Sequence, residues 1–180
     1  GVTTYIAFLR GINLGATRKF PKDAIVTATE AAGGTDVATH LTSGNVRLTS
    51  SRRSTDAVAK ALEEAYAVNR GFAVPTIVLT AAELTEMAGI GEQLEDDLPA
   101  GGKHYITLFA APPTAAAAKA AQALTHPGEV CVVRGRAAYA LLEGDIHSSV
   151  LLRSKEFNAL GTGTARTRKV LTTLAEKWCG

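Results

Sequence analysis

Residues 5–9, YIAFL, are apolar on both alternations of an extended chain: Ile6 and Phe8 fall on one face, Tyr5, Ala7 and Leu9 on the other. A strand with two apolar faces belongs inside a sheet rather than at its rim. The pattern predicts a central strand over residues 3–10, and the following sequence must supply its neighbours. Ile25, Ala28, Thr29 and Ala32 form a helical stripe, opened by Pro21 and stopped by Gly33-Gly34. Two short β-prone runs, 37–41 and 46–49, flank Thr42-Ser43-Gly44-Asn45. Gly-Asn between strands signals a hairpin, because Gly adopts φ > 0 at no steric cost. Ser54 or Thr55 can cap a helix over 56–69 with Val58, Leu62, Ala65 and Tyr66 inward, and Gly71 ends it. Residues 72–79 read as a fourth strand broken by Pro75. The order βαββαβ is the ferredoxin-like arrangement. It sets the fourth strand at a sheet edge, where a strand proline is tolerated.

Thr80 can cap a short helix over 81–88, followed by a Gly- and acid-rich stretch, 89–102, expected to be a linker or exposed loop. The second half restarts with a strand over 104–109 and an Ala-rich helix running from Pro112-Pro113 to Leu124. A hairpin follows around Gly135, pairing 129–133 with 137–142. Ser148 or Ser149 should cap a helix to Leu160, and Gly161 should stop it. Thr164 should then open a last helix over 165–178, with Val170, Leu174 and Trp178 on one stripe. The expected architecture is therefore α+β in two subdomains. Residues 1–80 are ferredoxin-like, 81–102 are a helix and acidic linker, and 103–180 form a partial βαββα echo with extra C-terminal helices.

A chain of 180 residues with 46% apolar content can bury a substantial core. No apolar run approaches the roughly 18 residues of a membrane span, and no signal peptide is visible, so a cytoplasmic protein without membrane contact is expected. Cys131 and Cys179 have no metal-type spacing and read as reduced structural thiols. The net charge of +2 is uneven: residues 1–100 carry −3 and residues 101–180 carry +5. A +5 half suits a polyanion, and equally a solvated basic surface.

Four stretches, LRGINLG with a nearby K-x-P, TSGNV, FAVPTIVLTAAEL and LGTGTAR, resemble the bacterial domain-of-unknown-function family 1697 over nearly the whole chain. The matching positions are Leu9, Arg10, Gly11, Ile12, Asn13, Gly15, Lys19 and Pro21, then Ser43, Gly44 and Asn45, and later Ile146, Ser149, Thr164 and Arg166. The resemblance implies two α+β subdomains, the first ferredoxin-like, and no established activity. It also implies Arg166 as a site residue. The chain departs from the family pattern at Ala16 and Thr17, at Val150, and at Thr167-Arg168, where a Gly, two Lys and an Asn-Trp pair are usual.

The 10–19 loop brings together backbone freedom at Gly11 and Gly15, the amide of Asn13, and the charges of Arg10, Arg18 and Lys19. Successive amides in such a turn can form an anion-binding concavity, with a helix start adding partial positive charge. Arg and Lys side chains can then grip phosphate. GINLG matches neither GxxxxGK[ST] nor GxGxxG, and the same residues read equally as a strand-to-helix turn. Ser43 and Asn45 serve a hairpin turn, and they complete a shared pocket if that turn folds toward the loop. Base stacking on the sheet is disfavoured: Tyr5 and Phe8 point to opposite faces, and 46–49 lacks aromatics. His40, His104, His126 and His147 have no metal-type partners in sequence, and no GxSxG elbow is present. No cofactor is expected. The leading expectation is a binding protein for a phosphorylated ligand, nucleotide or nucleic acid through Arg10, Gly11, Asn13, Gly15, Lys19, Ser43, Asn45 and Arg166. The alternatives are an enzyme acting on a phosphorylated small molecule between the subdomains, and a homodimeric interaction module.

Overall fold

The structure, a computed structural model, describes residues 1–98 and 101–180, with Asp97 described in its backbone alone. Pro99 and Ala100, within the expected linker, lie outside the described residues. The chain divides into two compact units, Gly1–Leu84 with Lys177–Gly180, and Thr85–Glu176.

The first unit is built from β1 (Thr3–Leu9), α1 (Lys22–Ala31), β2 (Thr35–His40), β3 (Asn45–Ser50), α2 (Thr55–Arg70) and β4 (Thr76–Thr80). The sheet order is β2-β3-β1-β4, with every neighbouring pair antiparallel. β1 is central, as its two apolar faces require, and Tyr5–Leu9 are each at most 1% exposed. Tyr5, Ala7 and Leu9 join Ile25 and Ala28 of α1 and Leu62 and Tyr66 of α2 in one core. The buried Tyr66 hydroxyl meets Thr29 Oγ1 at 2.7 Å, so neither polar group is stranded in that core. Ser54 caps α2 by accepting from the Ala57 amide, and Gly71 ends it at φ 76°.

β4 lies at the edge but starts only after Pro75, four residues later than expected. The edge is blocked by side chains: the Thr76 amide donates to Glu63 (3.0 Å) and the Thr80 amide to Glu83 (3.0 Å). Thr80 Oγ1 in turn accepts from the Glu83 amide, a reciprocal capping box that starts α3 (Ala81–Leu94). α3 continues past the predicted stop at Ala88 and through Gly89 and Gly91. A Cβ on Gly91 would lie 2.8 Å from Arg168 Cγ and 3.1 Å from Ile106 Cδ1. The glycine that reads as a breaker in sequence is here a close-packing residue, and residues 89–94 of the expected linker are helix.

The second unit contains β5 (Lys103–Phe109), α4 (Ala115–Ala123), β6 (Glu129–Arg134), β7 (Ala137–Leu142), the single-turn helices α5 (Val150–Arg153) and α6 (Lys155–Asn158), β8 (Gly163–Thr167) and α7 (Arg168–Trp178). Its sheet order, β6-β7-β5-β8, has the same spatial plan as the first. The echo of the first half therefore runs one strand further than expected. Residues 163–167, where Thr164 is expected to open the last helix over 165–178, pair antiparallel with β5 as its outer neighbour. Only Thr164 of that strand is buried, so no apolar alternation marks it. The helix expected from Ser149 to Leu160 is broken at Ser154, whose extended backbone ends α5 and whose hydroxyl caps α6. Among the described residues no helix is long and apolar enough to cross a membrane.

Candidate functional site

The 10–19 loop leaves β1 between two neighbours. The Leu9 amide donates to Gly44 O and the Arg10 amide to Pro75 O, both at 2.9 Å. Four residues then take positive φ: Gly11 (67°), Asn13 (53°), Gly15 (59°) and Arg18 (53°). Two of these are not glycine, and each is held by its own side chain. Asn13 Oδ1 accepts from the Phe20 amide (2.9 Å), while its Nδ2 donates to Phe20 O (3.1 Å) and to Thr42 O (2.8 Å). Arg18 donates through Nε to Gly11 O and through Nη2 to Ala73 O (2.6 Å), with its guanidinium 4.5 Å from the Phe72 ring centre. Arg70 reaches the same loop, donating to Lys19 O (3.0 Å) and lying over Phe20.

The bond from Asn13 to Thr42 O settles the proximity that spacing left open: the β2–β3 turn is seated on the loop. Gly44 is buried at φ 92°, where a Cβ would stand 2.8 Å from Leu9 Cβ and 2.9 Å from Ile12 Cδ1. Asn45 is fully buried and donates to His40 O (2.7 Å) and to Ser43 Oγ (3.3 Å) across its own turn. Ser43 and Gly15 are exposed, and so are Arg10 and Lys19. Of the loop cations expected to meet an anion, Arg18 is engaged by backbone carbonyls. The side chains of Arg10, Lys19 and Lys22 form no hydrogen bond or ion pair among the described residues.

A groove of about 380 Å³ lies between the loop and the turn, lined by Asn13, Phe20, Pro21, Lys22 and Ile25 on one side and by Thr39, His40, Leu41 and Thr42 on the other. It meets the start of α1, where Pro21 occupies the cap position and offers no capping side chain. The His40 ring packs edge-on against Trp178, with centroids 6.3 Å apart, and His40 Nδ1 lies 3.3 Å from Lys177 Nζ. Sequence reasoning missed Lys22 and His40. Lys22 had a signal in its place directly after Pro21, whereas His40 had none.

A family model described as protein of unknown function (DUF1697) matches residues 2–139. The chain belongs to this family. The DUF1697 match takes in the whole loop, the β2–β3 turn and the groove. It stops before Arg166, which lies on β8 in the second unit, where burial pulls its pKa down to about 10. Among solved structures, the chain is similar to the conserved bacterial protein SP0830 from Streptococcus pneumoniae, at 19% identity, with 98% of each chain covered and a TM-score of 0.74. That likeness speaks for the fold. No curated protein matches the chain. Among the described residues of this DUF1697 protein, no group of three or more His, Cys, Asp or Glu side chains could hold a metal ion. Cys131 is buried, and its thiol is pushed up to about 11, away from nucleophilic character at neutral pH.

Proposed function

We propose that this protein binds a phosphate-bearing small molecule in the groove between the 10–19 loop and the β2–β3 turn. The observation that supports this reading is the convergence on one groove of Lys22, His40 and an α1 start without a capping side chain. First-turn amides favour negative charge, and an adjacent ammonium adds to that preference. Asn13, Arg18 and Asn45 act as the frame: they hold loop and turn in one geometry, so the groove is formed before a ligand arrives. Arg10 and Lys19, exposed on the same loop, add to its positive charge.

The test is a thermal-shift and calorimetric screen against inorganic phosphate, nucleoside phosphates and sugar phosphates, run beside Lys19→Ala/Lys22→Ala. A ligand at 100 times its Kd adds about 2.7 kcal/mol to stability. That corresponds to a rise of several degrees for a chain of this size. The expected result is a saturable shift in the parent chain that falls at least tenfold in affinity in the variant. Equal affinity in both proteins, or no ligand in the screen, removes the reading.

A further inference from the structure

The second unit has its own cationic groove, which shares no lining residue with the groove of the first. It measures about 340 Å³ and is walled by two short stretches, Gly102–Tyr105 and Thr167–Lys169, together with Glu95. Pairing of β5 with β8, with Tyr105 opposite Thr167, brings these stretches to the same end of the sheet. Lys103-His104 and Arg168-Lys169 therefore meet there.

The charges in this groove do not cancel. Among the described residues Glu95 is its one carboxylate, and Oε2 of that group already accepts from Arg168 Nε and lies 3.2 Å from His104 Nδ1. Arg168 is further fixed through Nη1 to Thr172 Oγ1 (2.9 Å), which donates to Glu92 (3.1 Å). Glu95 and Arg168 thus neutralise each other within a braced network. His104, with a side chain only 2% exposed, is kept neutral by burial. What remains is the pair Lys103 and Lys169, both exposed, neither in an ion pair among the described residues. Two ammonium groups on one small groove repel each other unless an anion lies between them. The braced wall behind them supplies fixed geometry, and Thr167, whose hydroxyl accepts from the Val170 amide (3.3 Å), lines the same groove.

We infer that this groove is a second binding site, for a small oxyanion of the phosphate type held between Lys103 and Lys169. It is independent of the first-unit reading, and the two are separated by their variants. The experiment is a titration of inorganic phosphate into the full chain at constant ionic strength set with chloride, followed by backbone amide NMR. Saturable shifts are expected at residues 103–105 and 167–170. The site's Kd should rise at least tenfold in Lys103→Ala/Lys169→Ala, stay unchanged in Lys19→Ala/Lys22→Ala, and recover in Lys103→Arg/Lys169→Arg. Both lysines are exposed, so the variants should melt with the parent chain in the absence of phosphate. Shifts that grow linearly without saturating overturn the inference, as does an alanine variant with the parent's Kd. Loss of the same shifts in Lys19→Ala/Lys22→Ala would also overturn it.

Discussion

Asn13 carries more structure than its single polar side chain suggests. It holds positive φ, closes the loop onto Phe20, and ties it to Thr42. Asn13→Ala removes these side-chain bonds and strains the backbone, and should cost about 2–3 kcal/mol in urea unfolding. Asn13→Gly keeps the backbone conformation and should cost less, so the difference between the two isolates the strain. His104 sets a pH dependence. Its ring faces Glu95, Arg168 and Tyr139, and its Nε2 has no hydrogen-bond partner among the described residues. Burial disfavours the imidazolium more than Glu95 favours it, so the folded-state pKa lies below the ordinary 6.5. The unfolded chain then takes up the proton first. Stability should be full above that value and decline as pH falls through and below it, and His104→Gln should flatten the decline. Glu129 acts in a lower window. Burial alone would raise its carboxyl, but the Ser149 hydroxyl and the Leu151 and Val150 amides outweigh that and hold it below 4.5. Its contribution is present above 4.5 and fades only in stronger acid, so urea unfolding across pH resolves the two groups.

At the scale of elements, what was legible followed burial pattern. β1, the β2–β3 hairpin, α2 with its Ser54 and Gly71 ends, and the β6–β7 hairpin carry apolar periodicity or turn chemistry in their own residues. β8 does not, because its place depends on β5. A Cβ on Gly163 would stand 2.5 Å from Thr107 Cγ2 and 2.7 Å from Leu108 O, so this glycine lets two backbones approach. Gly163→Ala should therefore open the β5–β8 pairing. Hydrogen exchange should show lost protection at residues 163–167 and 105–109, with destabilisation of about 2 kcal/mol or more. The extension of α3 was hidden for the same reason, since Gly91 is explained by Arg168 and Ile106, far off in sequence. In the candidate site, the loop and turn were legible as motifs. Their joining through Asn13 and Thr42 was not, because 29 residues separate the partners. Arg18 read as an anion ligand because its charge is visible in sequence, whereas the carbonyls of Gly11 and Ala73 that engage it are not.

At the scale of the molecule, one plan is used twice, but the two units do not follow the order of the chain. Lys177–Gly180 belong with the first unit, although 92 residues of the second unit, Thr85–Glu176, come between. Trp178 is 8% exposed and packs on His40. Trp178→Ala should lower stability by about 3 kcal/mol. Hydrogen exchange should place the loss in β2 and the β2–β3 turn rather than in β6 and β7. It should also loosen the groove that His40 lines, so a phosphate ligand bound there should weaken while the Lys103–Lys169 groove is unaffected. The same seam bears on how the protein is made on the ribosome. Residues 1–84 emerge first and can pair their strands at once, yet the aromatic seal over His40 must wait for the last turn of α7 to leave the exit tunnel. The half that is translated first is thus completed only after the 92 residues of the second unit have been made, and until then the groove that His40 lines lacks its aromatic neighbour.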